Sequence, residues 1–257
     1  MQKATWARKL TAVRRFASWV SAFDPRTEVP PKQLLNIRHR RPKPYIFTDQ
    51  EIERLLAEAS RLPSPKGLRA ITYRTLIGLL AATGLRPGEV HALQNADVDL
   101  QNGILMIRQT KFGKSRFVPV ADSTRAALAQ YAKRRSRIHP HLPADRFFVT
   151  ERGTPLGTSC ACRTFAKISL AIGLRTTVDD RRIGRGPRLQ DLRHTFATRK
   201  LIEWYQSGLD VSRELPKLST YLGHVDVVHT YWYIEAIPEL LQLATDYLTK
   251  RPNGGGQ

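Results

Sequence analysis

The chain has 257 residues, 41% of them hydrophobic, and carries 42 Lys and Arg against 22 Asp and Glu, a formal net charge of +20. That apolar share suffices for one large domain, or a domain with a smaller appendage, and excludes wholesale disorder. So one-sided a charge exceeds what solubility requires and points to a polyanion, with nucleic acid as the default partner.

Cys160 and Cys162 are the only cysteines. Two residues apart, they suit neither a structural disulfide nor a four-ligand zinc site, and both read as thiols in a reducing compartment. No apolar run is long enough to span a bilayer, and MQKATWARKL lacks the apolar stretch of a secretion signal. The expectation is a cytoplasmic protein without a membrane partner.

Charge is uneven along the chain. Residues 1–44 hold eleven Lys and Arg and two Asp and Glu, a net +9, and the remaining 213 residues hold the other +11. In this first segment Trp6, Leu10, Val13, Phe16, Ala17 and Val20 recur at helical spacing. A lone helix cannot bury such a stripe, so it must pack on something else. Residues 1–35 are therefore read as a helical segment. NIRHRRPKPY, residues 36–45, follows as a basic linker stiffened by two prolines. Its Arg38, Arg40, Arg41 and Lys43 suit a path along a phosphate backbone, or else a solvated tether.

The main domain, 46–250, opens with FTDQEIERLLAEA. Thr48 and Glu51 predict a capping box. An Ala, Leu and Ile-rich helix is expected near 69–82, with the look of a buried one. It ends at ATGLRPGEV, where Pro87 is suited to the first turn of the next helix. GILMIRQT and RFVPV flank KFGK and predict a hairpin. Helices are expected near 123–135 and 159–172. DDRRIGRGPR, 179–188, reads as a loop before the helix LQDLRHTFATRKLIEWY. The rest is mostly helical to Leu248, and 251–257 reads as a frayed tail. The fold class is mainly α with a small antiparallel β-sheet.

Three spots place polar residues in apolar settings. Arg86 sits at a tight helix–loop–helix junction, and Glu89, one turn on, could hold its guanidinium, which is also what a plain structural ion pair would look like. Gln190 and Arg193 share one face near the start of a helix. The third is LGHVDVVHTYWYIEA, where Gly223 predicts a helix end and His224 follows. Taken alone, Tyr231, Trp232 and Tyr233 read as core.

Together, ATGLRPGEV, TKFGKSRFVPV, LQDLRHTFAT, LGH and a tyrosine nine residues after that histidine resemble the tyrosine recombinases, the phage-integrase family. The similarity covers roughly residues 45–250, the family's catalytic domain. Residues 4–35 are similar to the last part of its helical core-binding domain, and TYWYIEAIPELL resembles the transposon-borne branch. The resemblance implies an enzyme that breaks and rejoins duplex DNA through a covalent 3′-phosphotyrosine, as a site-specific recombinase or integrase. By counting from His224, it makes Tyr233 the nucleophile and leaves Tyr231 and Trp232 to packing. Arg86 and Arg193 take the arginine positions, His224 the histidine, and Lys111 the hairpin lysine, with Lys114 the nearby alternative or a phosphate contact. Arg116 joins Lys114 as an expected DNA contact. The family needs no metal, ATP or other cofactor, and it assembles as a tetramer on DNA, in some cases with other recombinase subunits. A bacterial, nucleoid-associated location follows from the same resemblance.

The residue types suit the chemistry on their own terms. A phosphodiester repels anionic nucleophiles, and two forked guanidiniums can neutralise its non-bridging oxygens. A phenol attacks once its proton leaves, and the departing 5′ oxygen needs a proton from a group such as lysine.

One position departs from the family pattern. Gln190 stands where the family usually has His, and glutamine cannot titrate near neutral pH. The expectation is reduced but nonzero activity. An alternative is a catalytically weak or inactive DNA-binding remnant. A metal-dependent nuclease would rest on Asp97, Asp99, Asp179 and Asp180. The C-terminal stripe of Ile237, Leu240, Leu241, Leu243, Ala244 and Leu248 could dock on a neighbouring copy or on its own domain.

Overall fold

The computed structural model describes residues 3–35, 44–108, 115–141, 145–179, 182–183, 185–223 and 240–245. Arg38, Arg40, Arg41, Lys43, Lys111, Lys114, His224, Tyr231, Trp232 and Tyr233 lie outside the described residues. The chain divides into two compact units, Met1–Lys43 and Pro44–Gln257.

The first unit is built on helix α1, Lys3–Val20. After the helix the chain runs back along it, and the Arg14 guanidinium donates to the carbonyls of Pro30 and Pro31 at 2.8 and 2.7 Å. Of the apolar stripe only Ala17 is buried. Trp6, Val13 and Phe16 are exposed, and the Trp19 ring lies against those of Phe16 and Phe23.

The second unit is mainly helical, with a small antiparallel sheet. Its helices are α2 (Asp49–Ser60), α3 (Leu68–Thr83), α4 (Pro87–Ala92), α5 (Asp122–Ile138), α6 (Thr158–Ala171), α7 (Leu189–Gln206) and α8 (Val211–Leu222). Strands β1 (Val98–Asp99), β2 (Ile104–Ile107) and β3 (Arg116–Pro119) pair antiparallel in the order β1-β2-β3. The predicted hairpin is β2–β3, in register from Ile104 opposite Pro119 to Ile107 opposite Arg116. β1 escaped the sequence reading because two residues carry no alternation.

Local signals explain most of these elements. Thr48 and Glu51 form both halves of the capping box at α2. α3 is apolar over most of its surface, with Arg74 exposed, and runs through the core, touching α2, α5 and α7. Its N-cap is Gly67, which has no side chain to accept from the first turn. A distant carboxylate serves instead: Glu151 accepts from the N–H groups of Lys66 and Arg69 at 2.7 and 2.6 Å, and from the Ser64 hydroxyl at 2.8 Å. Burial alone would raise the Glu151 carboxyl, but these donors hold it below the usual glutamate range.

The expected loop at 179–188 is partly a two-stranded ribbon, β4 (Thr177–Asp179) with β5 (Arg182–Ile183). Its arginine-rich sequence lacks the apolar alternation that marks a strand. Asp97 accepts from the Gln94 N–H and pairs with Arg108, and Asp99 accepts from Gln101 and Asn102, so both carboxylates hold local turns. Both cysteines are exposed free thiols. No helix among the described residues is long and apolar enough to cross a membrane.

Two clusters make the core of this unit. The larger surrounds α3. The smaller joins Ala197 and Leu201 of α7 to Val211, Leu215, Leu218 and Leu222 of α8, and takes in Leu240. From the C-terminal stripe, then, Leu240 packs on its own domain, while Leu241 is exposed.

Candidate active site

The site forms where the end of α8 meets α3, α4, α7 and β3. Gly84, just past α3, and Gly223, just past α8, both have left-handed backbone, with φ of 62° and 68°. Each lets its helix stop sharply and turns the next residues toward the other. At Gly84 the space is as decisive as the backbone. A Cβ there would lie 2.5 Å from Phe196 Cδ1 and 3.2 Å from Leu222 Cδ2. Gly84→Ala is therefore expected to cost about 2–4 kcal/mol, from the left-handed backbone and from overpacking together. Urea unfolding checks this, and a loss under about 0.5 kcal/mol would mean that Phe196 simply swings aside.

Immediately after Gly84, Leu85 is buried and Arg86 caps α4, with Pro87 in the first turn. The Arg86 N–H donates to Glu89 Oε2 and its Nη1 to Glu89 Oε1, both at 2.9 Å. Its Nη2 reaches the Gly223 carbonyl at 3.0 Å. Arg193, on α7, is 1% exposed and donates Nη1 to the Gly84 carbonyl and Nη2 to the Leu222 carbonyl, at 2.9 and 2.8 Å. Arg116, the first residue of β3, donates Nε to the Tyr221 carbonyl at 2.7 Å and both Nη atoms to Glu89, at 3.1 and 2.9 Å.

Three guanidiniums thus bind three successive carbonyls, those of residues 221, 222 and 223, at the C-terminal end of α8. That end carries the negative pole of the helix dipole and carbonyls without helical partners, so cations there are stabilising. Among the described residues, Glu89 is the carboxylate seen bonded to this group. Counted over the described residues, three arginines against one glutamate give this group a formal charge of 3 − 1 = +2. The Arg86 side chain keeps 34% of its surface open, against 12% for Arg116 and 8% for Glu89. Arg86 is the member of the group most open to an outside anion.

Burial would push the Glu89 carboxyl up, but the hydrogen bonds and charge of Arg116, the Arg86 N–H and the charge of Arg193 outweigh it and hold it below its usual value of 4.5. A depressed carboxylate stabilises the fold above its unfolded value, and that contribution is lost as pH falls through the lower folded value.

Gln190 is the second residue of α7 and is half-buried. α7 is started by Arg188 and the buried Asp191, whose carboxylate accepts the Arg188 N–H at 2.7 Å. Thr195 ties the same helix to the Phe47 N–H at 3.0 Å. These contacts fix the face that carries Gln190 and Arg193.

Tyr221 stacks on Phe196 with ring centroids 5.7 Å apart. Burial pushes its phenol up, more than Arg116 and Arg193 lower it, so it is no activated nucleophile.

Of the residues singled out in the sequence, the fold gathers Arg86, Glu89 and Arg193 in one group and sets Gln190 on the Arg193 helix. Arg116, expected as a DNA contact, is turned inward, onto Glu89 and the Tyr221 carbonyl. Strand parity carries the missed signal. Residues two apart share a face, and Val118 of the same strand is fully buried.

The phage integrase family model matches residues 46–239. A protein of Sinorhizobium fredii strain NGR234 named as an integrase/recombinase, y4rB, is 44% identical over 254 residues, covering 97% of this chain and 80% of its own length. The tyrosine recombinase XerD of Caulobacter vibrioides is 32% identical over 260 residues, covering 99% of this chain and 77% of its own. Among solved structures, the Tn1549 transposon integrase in complex with transposon right-end DNA superposes with a TM-score of 0.67 at 18% identity, over 94% of this chain and 78% of its own.

Proposed function

Since the chain belongs to the phage integrase family, whose members include the tyrosine recombinases, we propose that it binds duplex DNA and exchanges strands by transesterification at the arginine cluster. The Tyr233 phenol oxygen gives up its proton to water as it attacks a backbone phosphorus, the bond from phosphorus to the 5′ oxygen breaks, and a 3′-phosphotyrosine forms. The departing 5′ oxygen takes a proton from Lys111. A 5′ hydroxyl from the partner strand then attacks the same phosphorus and releases the tyrosine. Each step trades one phosphoester for another, so neither ATP nor a metal ion is needed.

The observation that carries this reading is the +2 cluster of Arg86, Arg116, Arg193 and Glu89 at the end of α8. Arg86 and Arg193 neutralise the non-bridging oxygens. His224 directly follows Gly223, whose carbonyl Arg86 holds, and donates a hydrogen bond to the same phosphate. Tyr233 follows nine residues later.

Around this centre, Arg38, Arg40, Arg41, Lys43 and Lys114 add phosphate contacts. Residues 36–45 act as the basic linker between segment 1–35 and catalytic domain 46–250. The assembly on DNA is a homotetramer, joined in some settings by other recombinase subunits. The solved Tn1549 integrase is a transposon protein, which favours transposition as the biological setting, in bacterial cytoplasm at the nucleoid.

The test is an SDS-resistant protein–DNA adduct on a pool of randomised nicked duplexes, with EDTA present throughout. An adduct whose peptide maps to Tyr233 is expected. Binding without adduct would identify a DNA-binding remnant, and cleavage that EDTA abolishes would identify a nuclease.

Gln190 sets the rate in this scheme, because it cannot accept the phenol proton. Gln190→His is expected to raise the single-turnover adduct rate at neutral pH, within the 10²–10⁴-fold range of about one general base. An unchanged rate would show that another group already takes that proton.

A further inference from the structure

Arg116 is the least expected member of the cluster. Its side chain is 12% exposed, and three of its N–H donors are spent on Glu89 and the Tyr221 carbonyl. So occupied, it has little left to offer a DNA phosphate. What it touches is informative. Glu89 belongs to α4 and is shared with Arg86. Tyr221 belongs to the last turn of α8, three residues before His224. Arg116 itself opens β3, five residues after Lys111 and at the end of the β2–β3 hairpin. One planar side chain therefore ties β3 to α4 and to the last turn of α8. The fit around it is close: a Cβ added at Gly223 would lie 2.7 Å from Arg116 Nη1.

We propose that Arg116 is a positioning residue. Its fork to Glu89 and its bond to the Tyr221 carbonyl lock the start of β3, α4 and the end of α8 into one register, and so hold Arg86 in place for the phosphate. The inference rests on the reaction proposed above.

A lysine could keep the charge but reach only one of these partners with a single ammonium; the guanidinium reaches both at once through fixed, coplanar donors. Removing Arg116 has a second consequence. Glu89 faces Arg86 from its own helix, Arg116 from β3 and Arg193 from α7. Without Arg116, burial opposes the charged carboxylate with fewer cations to offset it. Glu89 then takes up a proton at higher pH than in the wild type, and Arg86 loses its ion pair with that carboxylate as it does so.

The experiment uses the full chain and the same randomised nicked duplexes, comparing wild type, Arg116→Lys, Arg116→Ala and the double variant Arg116→Ala/Glu89→Gln. Adduct rates are measured from pH 5 to 9, and affinity is measured by filter binding. Both single variants are expected to lose 10²-fold or more in adduct rate, while affinity stays within about threefold. The acid limb of the Arg116→Ala profile should move toward neutral pH, and Glu89→Gln should remove that shift. A general loss of stability would lower the rate without moving the limb. Affinity falling in step with rate, on an unmoved limb, would make Arg116 a DNA contact and overturn the inference. So would wild-type rate in Arg116→Lys. Wild-type chain that binds DNA and forms no adduct at all would sink the proposed reaction itself, and this inference with it.

Discussion

Arg193→Ala is expected to lower the adduct rate by roughly 10³-fold and to destabilise the fold by about 2–4 kcal/mol. Arg193 is 1% exposed and its fork closes the gap between the Gly84 and Leu222 carbonyls. Truncation leaves a cavity and two buried acceptors without these donors, and each contribution is of order 1–3 kcal/mol. The catalytic loss is larger than the structural one, because a preorganised donor aimed at developing charge is worth about 10²–10³ in rate. Arg193→Lys separates the two effects. It keeps the charge and most of the volume, so stability should recover partly, yet one ammonium cannot span both carbonyls and still meet a phosphate. Urea midpoints and single-turnover adduct formation are the measurements. An alanine variant as stable as wild type, with an adduct rate within about threefold, would show that the buried fork is not built as described here.

Tyr233→Phe should abolish the adduct altogether and leave DNA binding within roughly the 1 kcal/mol of one hydroxyl's hydrogen bond. In the proposed reaction, binding draws on the basic surface and bond exchange on a single oxygen. Tyr231→Phe is the matching control, and it should form adduct at the wild-type rate. Tyr221→Phe should do the same, since burial raises that phenol and its ring is stacked against Phe196. If Tyr231→Phe loses the adduct and Tyr233→Phe keeps it, then counting nine residues from His224 picks the wrong oxygen.

Both predictions depend on one architectural fact. The dipole end of α8 gathers three cations that would otherwise repel one another, and Glu89 offsets one of their charges. The net +2 left over suits a phosphate whose negative charge grows in the transition state.

What the sequence determined by itself was local. Thr48 and Glu51 are three residues apart, and their capping box formed as read. Arg86 and Glu89 have the same spacing and pair as expected. α3, rich in Ala, Leu and Ile, is the mostly buried helix that its composition announced, and β2–β3 followed from two β-rich runs around a turn. Each of these signals lies within a few residues, where helix or strand geometry alone decides who meets whom. The family motifs added the order of the site residues along the chain.

Tertiary structure decided what lies far apart. Glu151 caps α3 across 82 residues to Arg69. Arg193 reaches Gly84 across 109, and Arg116 reaches Tyr221 across 105. With 42 lysines and arginines in the chain, composition announces an anionic partner but cannot say which cations face it. A guanidinium on a surface and one folded over a helix end look identical in sequence. Only packing, which closes water away from Arg116 and Arg193 and leaves Arg86 partly open, tells them apart.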